Sequence, residues 1–330
     1  MGGGTPSLLP ADDVDRILDA IRHGFDASGV VEVTLEANPE DVAGAAGEDY
    51  LADLRRRGVT RLSLGIQSYF EEDLRFFTRV HDAGQAEDAT RRVAGAGFDS
   101  FSVDLIFGRP GQPFEYWAAN LEKAVRLGAP HLSTYGLTIE ERTPLAKQVQ
   151  LGRVVPEVDE TLSERYRFTA EYLAGHGFEH YEVSSFARAG HRSGHNQAYW
   201  RHGNYLGLGP SAHSFWRRTR SKGERWSNVR HLARWEGLLQ SRSLPVDTRE
   251  ALDADTLADE AVMLGLRRIA DGLNLAELER DYGVDLLSER SAVLAELERA
   301  GLIHPVSDCV RLTAAGAVLA DAVALKLLGR

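Results

Sequence analysis

Apolar and polar positions along the first half of the chain switch between two periods. Val31-Glu32-Val33-Thr34-Leu35-Glu36-Ala37 alternates and is rich in β-branched residues, which predicts a strand. Arg61-Leu62-Ser63-Leu64-Gly65, Phe101-Ser102-Val103-Asp104-Leu105-Ile106-Phe107 and His131-Leu132-Ser133-Thr134-Tyr135-Gly136-Leu137-Thr138 predict three more. Between them the apolar residues fall at helical spacing, over 13–23, 48–57, 83–96 and 114–127. Gly58, Gly97 and Gly128 follow the last three helices, where a left-handed residue closes the final turn. Strands that alternate with single helices at this spacing predict βα units and a parallel sheet, either doubly wound or a barrel.

Polar residues at the strand ends favour the barrel. Glu36 closes the first predicted strand, Gln67 follows the second, Asp104 sits within the third before Gly108, and Thr138 ends the fourth. Side chains collected at the C-terminal ends of parallel strands form the mouth of a (β/α) barrel. Any one of them alone reads better as a turn or cap residue. Four on successive units predict a site.

The second half is organised differently. Residues 181–187 are strand-like, and His195-Asn196-Gln197-Ala198-Tyr199-Trp200 follows. Trp216 to Trp235 is basic and aromatic, which suits a solvated loop, nucleic acid, or arginines placed for carboxylates. Residues 251–330 read as helices over 257–269, 275–282, 288–300 and 314–328, with a hairpin of 301–303 and 310–313. That is a winged-helix-like order. Acidic residues outnumber basic ones in it, so a DNA-reading role is not expected. The expected domains are 1–180, a connecting segment 181–250, and 251–330.

Composition narrows the classes. The 330 residues carry a formal net charge of -11 and one cysteine, Cys309. No disulfide framework is possible, and no apolar run reaches membrane-spanning length. The expectation is a cytoplasmic protein that is not an integral membrane protein and has no nucleic-acid partner.

Gly2-Gly3-Gly4-Thr5-Pro6-Ser7, Leu35-Glu36-Ala37-Asn38-Pro39, Arg61 to Ser68 and Asp104-Leu105-Ile106-Phe107-Gly108 resemble the motifs of the radical S-adenosylmethionine (SAM) proteins. The branch is that of oxygen-independent coproporphyrinogen III oxidases and HemW-type heme chaperones. The resemblance implies an α/β fold: a partial radical-SAM (β/α) barrel lacking its first strands, followed by the helical domain. It implies that Gly3, Gly4, Thr5, Glu36, Gln67, Arg79 and Asp104 bind SAM. It implies that His195, Asn196, Tyr199 and Trp200 bind heme, with His195 as candidate ligand to the heme iron. Imidazole is a good axial ligand, and flat aromatic rings suit a macrocycle.

The family also holds a [4Fe-4S] cluster on three closely spaced cysteines, which a single Cys309 cannot supply. The expectation is that a longer reading frame encodes that loop upstream of Met1. The implied function is binding heme and delivering it to acceptor proteins. The alternatives are SAM-dependent decarboxylation of coproporphyrinogen III, and an inactive binding or scaffold relative.

Overall fold

In the computed structural model, residues 1–329 are described and fall into two units, Met1–Arg192 and Ser193–Arg330. The first is built on a six-stranded sheet of order β1-β2-β3-β4-β6-β5. Its elements run α1 (Ala11–Gly24), β1 (Thr34–Ala37), α2 (Pro39–Val42), α3 (Gly44–Arg56), β2 (Arg61–Gln67), α4 (Glu71–Phe76) and α5 (Ala83–Gly95). Then come β3 (Ser100–Phe107), α6 (Phe114–Arg126), β4 (His131–Gly136), α7 (Pro144–Gln150), α8 (Asp159–Gly175), β5 (Glu179–Glu182) and β6 (Ser185–Ala187). Strands β1 to β4 are parallel, while β6 runs antiparallel to β4 and to β5.

Side-chain alternation gives the sheet two unlike faces. On one, Leu62, Leu64, Ile66, Val103, Leu105 and Leu132 are fully buried against Leu51 and Leu54 of α3, Ala86 and Val93 of α5, and Trp117 and Leu121 of α6. The other face is polar. Ser63 and Ser102 pair oxygen to oxygen at 2.8 Å, and Ser63 donates to Asp104 at 3.0 Å. Arg61 donates to Ser100 at 2.9 Å, and His131 meets the Tyr181 hydroxyl at 2.8 Å. Burial, first of all, holds the His131 imidazole well below its ordinary pKa.

Gly58, Gly97 and Gly128 all have positive φ, as the helix ends require. The first strand is shorter than expected. Val31 is exposed and lies outside it, and pairing begins at Thr34 opposite Arg61. On the other side of β1, the Met1 ammonium donates to the Thr34 carbonyl at 2.5 Å, and the Glu36 amide donates to the Met1 carbonyl at 3.0 Å. Residues 181–187, expected as one strand, divide between the hairpin strands β5 and β6.

The second unit contains α9 (Gly194–Trp200), β7 (His213–Thr219), β8 (Lys222–Asn228), α10 (Leu232–Gln240) and β9 (Val246–Leu252). Strands β7, β8 and β9 form an antiparallel sheet. The helical part follows: α11 (Ala254–Leu266), β10 (Leu273–Asn274), α12 (Leu275–Tyr282), α13 (Leu286–Glu289), α14 (Ser291–Arg299), β11 (Cys309–Val310), α15 (Ala314–Val318) and α16 (Ala320–Leu328).

Three expectations change here. The basic, aromatic stretch is sheet and helix rather than loop. The helices expected over 288–300 and 314–328 are broken at Arg290 and Leu319. The expected hairpin is reduced to one bridge, Ile303 with Leu312, while β11 pairs with β10. Pro305 beside that bridge has no amide hydrogen to extend the ladder. Among the described residues, no helix is long and apolar enough to cross a membrane.

Candidate functional site

A cavity of about 260 Å3 opens at the C-terminal ends of β1, β2 and β3. Gly4, Thr5, Glu36, Gln67, Arg79 and Asp104 line it, with Pro6, Ala37, Asn38, Ser63 and Gly65. Gly3 stands behind Glu36, its amide donating to the carboxylate at 3.4 Å. A Cβ on Gly2 would come within 2.4 Å of the same carboxylate, so a larger residue there would push the Glu36 side chain out of its place. Thr138 is not brought in. It is exposed beyond the end of β4, and its hydroxyl turns back to the Gly136 carbonyl at 3.4 Å.

Gln67 ends β2 just past a break in register, at φ 65. A left-handed, buried glutamine is strained backbone kept by its surroundings. Ser68 supplies part of that restraint, since its hydroxyl bonds both Asp73 and Asn120. Asp73 is fully buried and accepts from Arg109 at 2.6 Å and Gln112 at 2.8 Å. The loops after β2 and β3 are thereby tied to each other directly behind the cavity.

Polar groups with unused hydrogen-bonding capacity line this cavity. Burial pushes the Asp104 carboxyl up to about 6, against hydrogen bonds from Ser133 and Ser63. Its Oδ1 is buried without a partner. Burial also lowers the Arg79 pKa, opposed by Glu40 and Asp104. Within the described residues no hydrogen bond engages the side chains of Gln67, Asn38 or Arg79. Asn38, Ser63 and Gly65 belong to the motifs but were not singled out as site residues from the sequence. Their signal lay in spacing: Ser63, Gly65 and Gln67 sit at alternate positions of one strand.

The four residues of the His195 motif lie on α9. The His195 and Tyr199 rings meet edge to face at 4.9 Å, one turn apart. Ser193 caps the helix by accepting from the Asn196 amide at 3.2 Å. Trp200 points elsewhere, beneath the Arg267 guanidinium at 5.9 Å and lining a small cavity with Ala261, Gly265 and Leu278. Three of the arginines of β7 to β9 are already paired with carboxylates, while Arg217 donates to the Asp281 carbonyl at 3.2 Å. Arg225 bonds Glu250 and Glu260, each at 2.9 Å, and Arg218 and Arg249 both bond Glu224.

The sheet and the cavity, taken with the sequence comparisons, place the chain among the radical SAM proteins. The radical SAM superfamily description matches residues 1–124, and that of the HemN C-terminal domain matches 252–319. Heme chaperone HemW of Mycobacterium tuberculosis (strain H37Rv) is 37% identical over 329 residues, covering 100% of this chain and 80% of the relative. Heme chaperone HemW of Bacillus subtilis (strain 168) is 32% identical, covering 100% and 84%. The chain belongs to the HemW family. Coproporphyrinogen III oxidase (HemN) from Escherichia coli shares the fold, with a TM-score of 0.77 at 22% identity, covering 99% of this chain and 76% of that one.

Family membership implies SAM and a [4Fe-4S] cluster. The residues present fit SAM: an orphaned carboxylate oxygen, an unbonded amide and guanidinium, and a glycine loop surround one cavity. They do not fit the cluster, because the 330 residues hold one cysteine, Cys309, which lies in β11 of the other unit.

Proposed function

We propose that the chain is a heme chaperone that binds heme on α9 and passes it to acceptor proteins in the cytoplasm. The observation that carries this is α9 itself: a solvent-exposed His195 set edge to face on Tyr199, in a chain matched along its whole length by relatives named heme chaperones. His195 would ligate iron, while Tyr199 and the Asn196 amide side chain would flank the macrocycle. Trp200 would act from behind by fixing the helix. The cavity at the strand ends is assigned to SAM. Gly3, Gly4 and Thr5 would meet its methionyl end, Asp104 would accept from a ribose hydroxyl, and Glu36, Gln67 and Arg79 would supply the remaining polar contacts. When bound, SAM supplies an adenosyl group and a sulfonium charge; these side chains bind and orient it.

Hemin titration tests the first assignment. Full-length protein is expected to give a Soret band whose position depends on His195, and His195→Ala to shift or abolish it. An unchanged spectrum and affinity in His195→Ala would sink the reading.

A further inference from the structure

His202 closes α9 in an unusual way. Its amide donates to the Tyr199 carbonyl and that of Gly203 to the Ala198 carbonyl, each at 2.9 Å. These are the bonds of a helix end whose closing residue is left-handed, a place glycine usually takes. Here a histidine holds it at φ 53. Strain of this kind persists only where the surroundings impose it.

The surroundings are specific. The imidazole is buried and stacks on Phe215 at 4.4 Å and on Tyr282 at 5.8 Å. Its Nε2 lies 3.2 Å from the Glu260 carboxylate on α11, and its Nδ1 lies 3.0 Å from the Tyr282 hydroxyl at the end of α12. Glu260 is an acceptor only, so Nε2 donates to it. Hydrogen bonding from His202 is also the main influence that lowers the Glu260 pKa. Both ring nitrogens are engaged inside the protein, so His202 is not available to a metal ion.

A line of rings joins this anchor to the exposed face of α9. His195 meets Tyr199, Tyr199 meets Tyr205 at 4.7 Å, Tyr205 meets Phe215 at 6.1 Å, and Phe215 stacks on His202. We propose that His202 is the positioning residue of the heme-binding helix: it pins the end of α9 to α11 and α12 and so sets the direction in which His195 and Tyr199 meet heme. This rests on the assignment of heme to α9.

The test is hemin titration of the full chain, followed by Soret absorbance, in His202→Gly, Tyr282→Phe and the double variant. Glycine suits the left-handed backbone, so His202→Gly removes the anchor without blocking helix closure. Tyr282→Phe deletes one hydroxyl and keeps the ring, which covers the case in which His202→Gly fails to fold. The expected result for His202→Gly is about tenfold weaker hemin binding with the Soret position at saturation unchanged. Tyr282→Phe is expected to weaken binding less, and the double variant to be no weaker than His202→Gly, because both remove the same link. Wild-type affinity in both single variants overturns the proposal. So does a shifted Soret band at saturation, which would make His202 a ligand, and so do additive effects. If hemin binding ignores His195→Ala, the assignment of heme to α9 falls, and this inference with it.

Discussion

A Cβ added to Gly65 would lie 2.9 Å from the side-chain nitrogen of Gln67, on the floor of the cavity at the end of β2. Arg79 and Asn38 come next, at 3.7 and 3.8 Å. The clash is with the end of a side chain rather than with backbone, so the fold can absorb it but the cavity cannot. Gly65→Ala is therefore expected to change unfolding stability by less than about 1 kcal/mol while weakening SAM binding at least tenfold. Calorimetry with SAM, beside a denaturant melt, checks both. Undiminished SAM affinity would remove Gln67 from the site.

Asp104 ties the same cavity to pH. Its carboxyl is raised from an ordinary 3.8 to about 6, chiefly by burial. Between those values the folded chain keeps a proton that the unfolded chain has lost. Stability therefore falls as pH rises through that window and stays lower above it. A shift of roughly two units corresponds to about 2–3 kcal/mol. Asp104→Asn keeps the shape and removes the charge. It is expected to raise the melting temperature at pH 7.5, to flatten the fall between pH 4 and 6, and to weaken SAM binding. Parallel pH-dependent melts showing the same slope in both proteins would refute the burial argument.

Behind Gln67, the buried Asp73 depends on Arg109. Removing one partner of such a pair leaves a charge stranded, at a cost of about 3–5 kcal/mol. Ser68 and Gln112 also donate to Asp73, which places Arg109→Leu toward the lower end of that range. Replacing both charges, Asp73→Leu with Arg109→Leu, is expected to recover most of the loss. Chemical denaturation of the three variants decides this. A double variant as unstable as the single would show that the pair is worth more than its mutual neutralisation.

The parallel half of the fold was legible because its signals are local and agree. Period-two runs such as Arg61 to Ser68 and helix-closing glycines such as Gly97 need no distant partner to be read. Helix α8 escaped for the opposite reason. Its buried positions are Arg165, Thr169 and Leu173, two of them polar, so burial leaves no apolar stripe in the sequence. Arg165 is buried with its guanidinium donating to the Gln112 carbonyl just before α6, which packs on α8. Strands β7 to β9 were hidden similarly, because Arg218, Arg225 and Arg249 look like solvated charge until their acidic partners are seen on neighbouring strands. At the cavity, Glu36 and Gln67 could be named from their places at strand ends, and Asp104 from being a carboxylate within a mostly apolar strand. Thr138 had the same credentials and failed, because β4 ends before it.

The motif on α9 divides into two functions, and this division can be measured. His195 and Tyr199 share one side of the helix, while Trp200 is turned beneath Arg267 against residues of α11 and α12. Trp200 is only half-buried, and its indole nitrogen has no hydrogen-bond partner. Truncating it forfeits packing and the contact with Arg267, but no hydrogen bond. Trp200→Ala is therefore expected to destabilise the chain by about 2 kcal/mol, below the 3–5 kcal/mol typical of a fully buried aromatic. Its Soret band at hemin saturation should match wild type, because the iron ligand is untouched. Trp200→Phe should recover much of the stability. Melting curves and hemin titrations on the two variants separate the roles. A Soret shift in Trp200→Phe, at unchanged stability, would place the indole against the macrocycle instead.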